Sequence, residues 1–361
     1  MRTRSRFDRW LEDWGELEGS LPVYRVLLGL AILVIVLPRH PWLVYAPESL
    51  LYPPAGLPYL FPHPPGAWAV FAVNALLVGA AVLFVLGVRW RLTGFLLTAL
   101  LLLLNSWAYA YGKVNHDILV VLAPAVLALG TTPDRAPRAA RPGPGYAAPL
   151  LALIVALAMF SAAVPKVLSG WLAYDHSATH FHFLRLFHFA ENAAPLAPWF
   201  LPVTTRWFWE PLDVMTVAIE SAFLVALVSP RAFRLVCALA TGFHLGIALL
   251  MDIAFTSNVI VYGAFARWDL VGARLGAVWP GLGGLTARLR RAAEAVRGRP
   301  AATVFLAAVV AAWWVGLGNP IRELQREAFG EVYTEEALLA AAALLAVAYL
   351  VSFSRRRSHV A

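Results

Sequence analysis

The sequence predicts an all-α integral membrane protein, a polytopic helical bundle of about 8–10 transmembrane helices with interfacial or re-entrant segments. Three observations lead there. Hydrophobic residues make up 60% of the chain and charged residues 14%, where a soluble globular chain carries about a quarter charged residues. The mean hydropathy is +0.69, and apolar runs of spanning length recur between stretches rich in Arg and Pro. The 14 Trp and 20 Phe suit interfacial belts and broad helix packing.

Taken in order, residues 1–20 form an N-terminal interfacial segment, with an amphipathic surface helix over 6–18. The apolar run that follows, 21–38, is long enough to span and lacks a small-x-small cleavage site, so it reads as an uncleaved first span. Arg25 sits one turn inside it and reads as snorkelling to the near interface. Residues 39–65, with Pro53-Pro54 and Pro64-Pro65, predict an irregular loop. Further spans are expected at about 66–87, 92–110, 117–130, 146–165, 211–228, 233–251 and 256–267. Residues 172–210 read as one or two interfacial segments over the bundle. Residues 271–300 form a basic surface segment, 301–353 a closing transmembrane hairpin (301–317 and 334–353), and 354–361 a basic tail.

Charge orients this arrangement. With both termini in the cytoplasm and ten alternating helices, most of the 29 Lys/Arg fall on the cytoplasmic side, as the positive-inside rule requires. The formal charge of +8 is therefore a topology signal, and no nucleic-acid partner is expected. A single cysteine, Cys237, excludes an intrachain disulfide and a thiolate metal site.

Lys113 and Lys166 are the only lysines; every other basic Lys/Arg position is arginine. Arginine stays protonated, whereas a partly buried lysine can give up its proton and act as a base. Both lysines fall at the non-cytoplasmic ends of apolar runs. The alternative is a compositional drift toward arginine that left two tolerant membrane-edge positions behind.

The stretches carrying these lysines are Tyr111-Gly-Lys-Val-Asn-His-Asp117 and Phe160-Ser-Ala-Ala-Val-Pro-Lys-Val-Leu-Ser-Gly-Trp-Leu172. With Ile219-Glu220-Ser221 and Gly242-Phe-His-Leu245 in later apolar runs, they resemble the HTTM family, which includes the vitamin K-dependent gamma-glutamyl carboxylase. The likeness covers about residues 20–270. It implies an HTTM, carboxylase-like membrane domain over 21–270 and a reduced quinone (vitamin K or menaquinol-like) as cofactor, with O2 and CO2 as co-substrates. Lys166, five residues before Trp171, is implied to be the base that deprotonates the quinol, assisted by His116, with Lys113 in support. The carboxylase's large luminal part, which grips a propeptide, has no counterpart here, so a quinol-directed half-reaction is a better expectation than protein carboxylation.

Other residues keep two readings. Glu220 and His244, on neighbouring spans, are a proton relay or substrate contact behind Lys166, or a hydrogen-bonded lock within the bundle. Asp117 orients His116 or, more simply, caps the helix that follows. Asn105, Trp107 and Asn115 shape the pocket or pack helices. His176 and His180 share a face if their segment is helical, but no Asp, Glu or Cys set completes a metal site, so no metal is expected. They and His182 and His188 read as interfacial residues among aromatics.

The leading expectation is a multi-pass cell-membrane enzyme, in a bacterial cytoplasmic membrane, with its site on the non-cytoplasmic side. From a different class comes a non-catalytic membrane factor that handles or matures an exported peptide. A transporter is third, disfavoured by the absence of a visible repeat.

Overall fold

The computed structural model describes residues 5–36, 41–53, 56–60, 63–112, 117–130, 145–175, 177–189, 194–278, 291, 294–295, 298–316 and 334–358. Among them every regular element is a helix and no strand occurs. In chain order they are α1 (Arg6–Trp14), α2 (Leu21–Ala31), α3 (Ala67–Leu86), α4 (Trp90–Tyr109), α5 (Ile118–Gly130), α6 (Ala147–Leu168) and α7 (Ala178–Phe189). There follow α8 (Ala197–Phe200), α9 (Arg206–Ala226), α10 (Pro230–Met251), α11 (Thr256–Tyr262), α12 (Trp268–Val278), α13 (Pro300–Gly316) and α14 (Thr334–Ser358). Among the described residues five helical stretches are long and apolar enough to cross a membrane: Arg6–Val36, Ala67–Leu86, Trp90–Tyr109, Ala147–Leu168 and Pro230–Met251. The helix predicted over 6–18 is present as α1, and the interfacial region 172–210 contains α7 and α8.

The chain divides into two compact units. One comprises 1–13, 149–265 and 332–361, and the other 14–148 and 266–331. The two arms of the closing segment belong to different units: α13 packs on α3, and α14 on α10 and α11. Alanines are among their buried positions, Ala307 and Ala311 beside Thr303 on α13 and Ala343 beside Leu339 on α14. Small side chains let helix backbones approach closely where lipid removes any hydrophobic premium for association.

In the unit built from 14–148 and 266–331, α3 packs against α2, α4 and α13, and α4 against α5. Pro124 lies inside α5, where proline disturbs the helical ladder. The Thr98 hydroxyl of α4 fills the opening: it accepts from Ala125 N at 3.0 Å and donates to Val121 O at 3.0 Å. It thus stands in for the direct bond between those two groups. A side chain at Gly94 would meet Pro124 O at 2.9 Å, so α4 can approach the kink only with glycine there.

Arg25 does not snorkel. It is 7% exposed and donates to the carbonyls of Phe84 and Val85 at the end of α3. Gly87, in the left-handed region at φ 75°, closes that helix. A cation at a helix C-terminus meets both orphan carbonyls and the negative end of the dipole, and this offsets the cost of burying the guanidinium.

A charged lock closes the same unit. Arg267 grips Asp269 with two bonds, Nε to Oδ1 at 2.9 Å and Nη2 to Oδ2 at 2.6 Å, and Ser20 Oγ donates to Asp269 Oδ1 at 2.7 Å. The Arg267 guanidinium, with Ser20 assisting, holds the Asp269 carboxyl well below the ordinary carboxylate range. A depressed folded value stabilises the fold above the unfolded carboxyl value of about 3.9, and the contribution is lost as pH falls below it. Thermal unfolding of wild type and Asp269→Asn in detergent should therefore differ most at pH 6, and the gap should narrow steadily as pH falls below about 3.9. A gap that does not narrow between pH 6 and pH 2 would remove the titration of Asp269 as its origin. The pair is solvent-exposed, so the effect is screened and modest.

Candidate functional site

The site assembles in the other unit, around the last turn of α6. This helix runs to Leu168, beyond the predicted end at 165, so Lys166 lies inside its final turn. Gly170 then takes φ 85°, open to glycine at little cost. Gly170 N donates to Val167 O at 3.2 Å and Trp171 N to Lys166 O at 3.0 Å. These two bonds define a Schellman closure, in which the second residue past the cap folds back over the third from the end. The Lys-x-x-x-x-Trp spacing thus has a local cause: the turn carries the Trp171 indole over Lys166, with Nζ 5.4 Å from the ring centroid.

Lys166 Nζ also reaches α9. It donates to Glu220 Oε1 at 2.6 Å and Oε2 at 2.7 Å, with a longer bond to Ala162 O at 3.3 Å. The side chains are 21% and 9% exposed, so the carboxylate is sequestered and the lysine is partly accessible. Glu220 belongs to the buried stripe of α9, which includes Trp209, Asp213, Thr216, Val217 and Phe223, spaced as one helix face requires. The pair is net neutral whether the proton resides on the amine or on the carboxyl. That is the condition under which a Lys–Glu pair is tolerated in an apolar bundle.

Trp171 continues the array. Its ring lies 5.6 Å from that of His182 on α7, a residue the sequence reading left among interfacial aromatics. Asp213 fixes the position of α7. Fully buried on α9, it accepts from Ala178 N at 3.0 Å, Thr179 N at 2.7 Å and the Thr179 hydroxyl. A carboxylate on the first N–H groups of a helix satisfies orphan donors and complements the dipole. Sequence reasoning missed Asp213 because a capping residue 34 positions away from Thr179 has no local signature.

His244 is 2% exposed on α10 and pairs through Nε2 with the Tyr262 hydroxyl of α11 at 3.2 Å. Its ring stacks on Phe255 at 4.7 Å. Tyr262 was not singled out in the sequence. Its ring stacks on Phe223 at 5.3 Å.

Lys113, Asn115 and His116 lie outside the described residues, as does His176, so their predicted meeting with Lys166 is not part of this geometry. Asp117 begins α5: its backbone carbonyl accepts from Val121 N at 3.0 Å, the position of an N-cap residue. Asn105 turns back onto its own helix, donating to Leu101 O at 2.9 Å, and Trp107 is 8% exposed on the same helix. His180 stacks on Trp209 with centroids 4.7 Å apart. Burial pushes its imidazole below the ordinary value, so it stays neutral near pH 7. Among the described residues no group of three His, Cys, Asp or Glu is placed to hold a metal.

Comparison with protein-family models, curated proteins and solved structures finds no match to this chain.

Proposed function

We propose that the chain is a multi-pass membrane enzyme in which Lys166 is the base toward a quinol-type ligand at the non-cytoplasmic face. Its site would resemble that of the vitamin K-dependent gamma-glutamyl carboxylase and the HTTM family. One observation carries the reading: of two lysines in the whole chain, Lys166 is seated against the carboxylate of Glu220 and the face of Trp171 with its side chain still 21% exposed. That is the arrangement of a general base with a proton partner and a ring platform.

The residues fit a reduced quinone. Val164, Val167, Leu168 and Leu172 are exposed around the turn, an apolar approach for a lipid-soluble ring toward the partly accessible Lys166. Bound there, the quinol supplies a hydroxyl whose deprotonation opens reaction with O2, with CO2 as the further co-substrate of a carboxylation. Lys166 takes that proton, Glu220 keeps the cationic form paired, and Trp171 holds the ammonium over its ring. Lys113 and His116 would assist, and partners beyond the membrane and the quinol would include an exported peptide. The count of about 8–10 spans and cytoplasmic termini belongs to this same reading.

The test is incubation of the purified protein in detergent with reduced naphthoquinone and oxygen, with epoxide product read by mass. Lys166→Arg runs alongside. Arginine keeps the ion pair with Glu220 and hence the fold, but cannot release its proton. Wild type should form product and Lys166→Arg should lose roughly 10²–10⁴-fold. Equal product from both would remove Lys166 as the base. No product from either folded protein would favour the non-catalytic peptide-handling reading.

A further inference from the structure

Two unlike faces meet on α7. Thr179 and Phe183 are buried, and Phe183 belongs to a core cluster with Trp209 of α9 and Met251 at the end of α10. The other side repeats at Phe181, Leu184, Arg185 and His188, the i, i+3, i+4, i+7 spacing of one helix face. Phe181, Arg185, His188 and Phe189 are exposed. Together with Leu184 and Leu186 they line a groove of about 620 Å³, within the roughly 300–1,000 Å³ of small-molecule sites.

The residue types on this face are not those of a helix turned to water. From Ala178 to Phe189 there is no Asp or Glu, and the groove walls are Phe and Leu around one arginine and one histidine. Among the described residues no carboxylate pairs with Arg185. The same end of the unit exposes Tyr174, Trp199 and Trp207, aromatic types that settle at headgroup level in a membrane. Contacts to the start of α9 bring them together: Arg206 donates to Tyr174 O at 3.3 Å, and Phe200 of α8 stacks on Phe208 at 5.3 Å. The groove of α7 joins this group through Phe183, which stacks on Trp209 at 5.2 Å.

We propose that this groove holds the phosphate headgroup of an anionic membrane phospholipid, with Arg185 and His188 as its donors. The guanidinium offers a fork of N–H groups that matches phosphate oxygens. The imidazole three residues on adds an N–H from the same face. Phe181, Leu184 and Phe189 cover the first carbons of the chains, which is why the site takes a lipid and not a free phosphate. A zwitterionic headgroup brings its own cation to Arg185 and is the weaker occupant. Bound there, the lipid steadies the helix whose His182 packs on Trp171, whatever chemistry Lys166 performs.

Native mass spectrometry of the full chain tests the site, with delipidated protein in detergent titrated with phosphatidylglycerol or phosphatidylcholine of identical chains. One basic residue near a membrane surface gives roughly a fivefold preference for acidic lipid. Wild type should therefore retain one phosphatidylglycerol at least about fivefold over phosphatidylcholine. Arg185→Gln should abolish that preference, and Arg185→Lys, which keeps the charge without the fork, should keep part of it. Arg185 is exposed, so neither variant disturbs the core. Arg231→Gln, an equal loss of charge at the start of α10 and so at the opposite end from Met251, should leave the preference intact. No preference in wild type, an unchanged one in Arg185→Gln, or an equal loss in Arg231→Gln overturns the site. Displacement of the lipid by excess inorganic phosphate identifies a free-anion site and overturns the lipid as occupant. Dimers that form without lipid and disappear in Arg185→Gln identify a second copy of the chain in the groove, and overturn it too.

Discussion

Glu220→Ala is expected to destabilise the unit containing α6 and α9 by roughly 3–5 kcal/mol, the usual cost of leaving one partner of a buried ion pair uncompensated. The carboxylate is 9% exposed and provides both short bonds to Lys166 Nζ. The companion Lys166→Met with Glu220→Leu should recover most of that loss, because apolar residues of similar volume replace a buried pair at little cost. The double variant should be stable and inactive. Thermal or denaturant unfolding in detergent, arranged as a double-mutant cycle, measures both. A loss below about 1 kcal/mol for Glu220→Ala would place the pair among solvent-screened surface bridges and weaken the case for a sequestered base. The outcome matters for function because the Lys166–Glu220 contact is what distinguishes Lys166 from an ordinary membrane-edge cation.

Asp213→Ala should loosen α7. Its carboxylate accepts from Ala178 N, Thr179 N and the Thr179 hydroxyl, so its removal takes the acceptor from all three donors. Hydrogen bonds to a charged group contribute about 1.5–3 kcal/mol each, though not additively. A loss of roughly 3 kcal/mol is therefore expected. Asp213→Asn, which keeps one acceptor oxygen, should lose less. Hydrogen exchange over 178–189 is the direct readout: protection should fall there first and most. Unchanged protection would mean that α7 is held by the packing of Phe183 and His180 on Trp209 alone. Because His182 packs on Trp171, loss of α7 order should also reach the platform over Lys166.

Hydropathy located most of the long helices. The expected spans at 66–87, 92–110 and 233–251 correspond to α3, α4 and α10 within a few residues. The one at 117–130 is α5, a helix of 13 residues and shorter than the spanning stretches, and the one at 256–267 holds only the seven-residue α11. Apolar runs and their Gly, Pro and Arg punctuation are local properties, so their ends are legible. The span placed at 211–228 begins earlier, at Arg206, because Pro211 is accommodated within the first turns of α9. The span at 146–165 continues through Pro165 for a related reason: the bulk of the helix precedes the proline, and the Schellman turn at Gly170 supplies its true end.

The site divides along the same line. Lysine against a background of arginine marked Lys166, and its distance from Trp171 was visible as a spacing whose cause is local, one αL glycine. Glu220 and His244 stood out because ionisable residues within apolar helices are costly. Their partners were beyond reach of the sequence. Only tertiary structure paired Glu220 with Lys166, gave His244 to Tyr262 and set Asp213 on the start of α7. It likewise set the buried Arg25 on the carbonyls at the end of α3. Each of these pairings joins residues distant in the chain, and helix rotation and packing choose which of several polar groups meet. Composition and periodicity determined that the chain is helical, apolar and built around a rare lysine. The long-range contacts decided what that lysine is held against, because burial makes an unpaired charge expensive and only the packed fold supplies the partner.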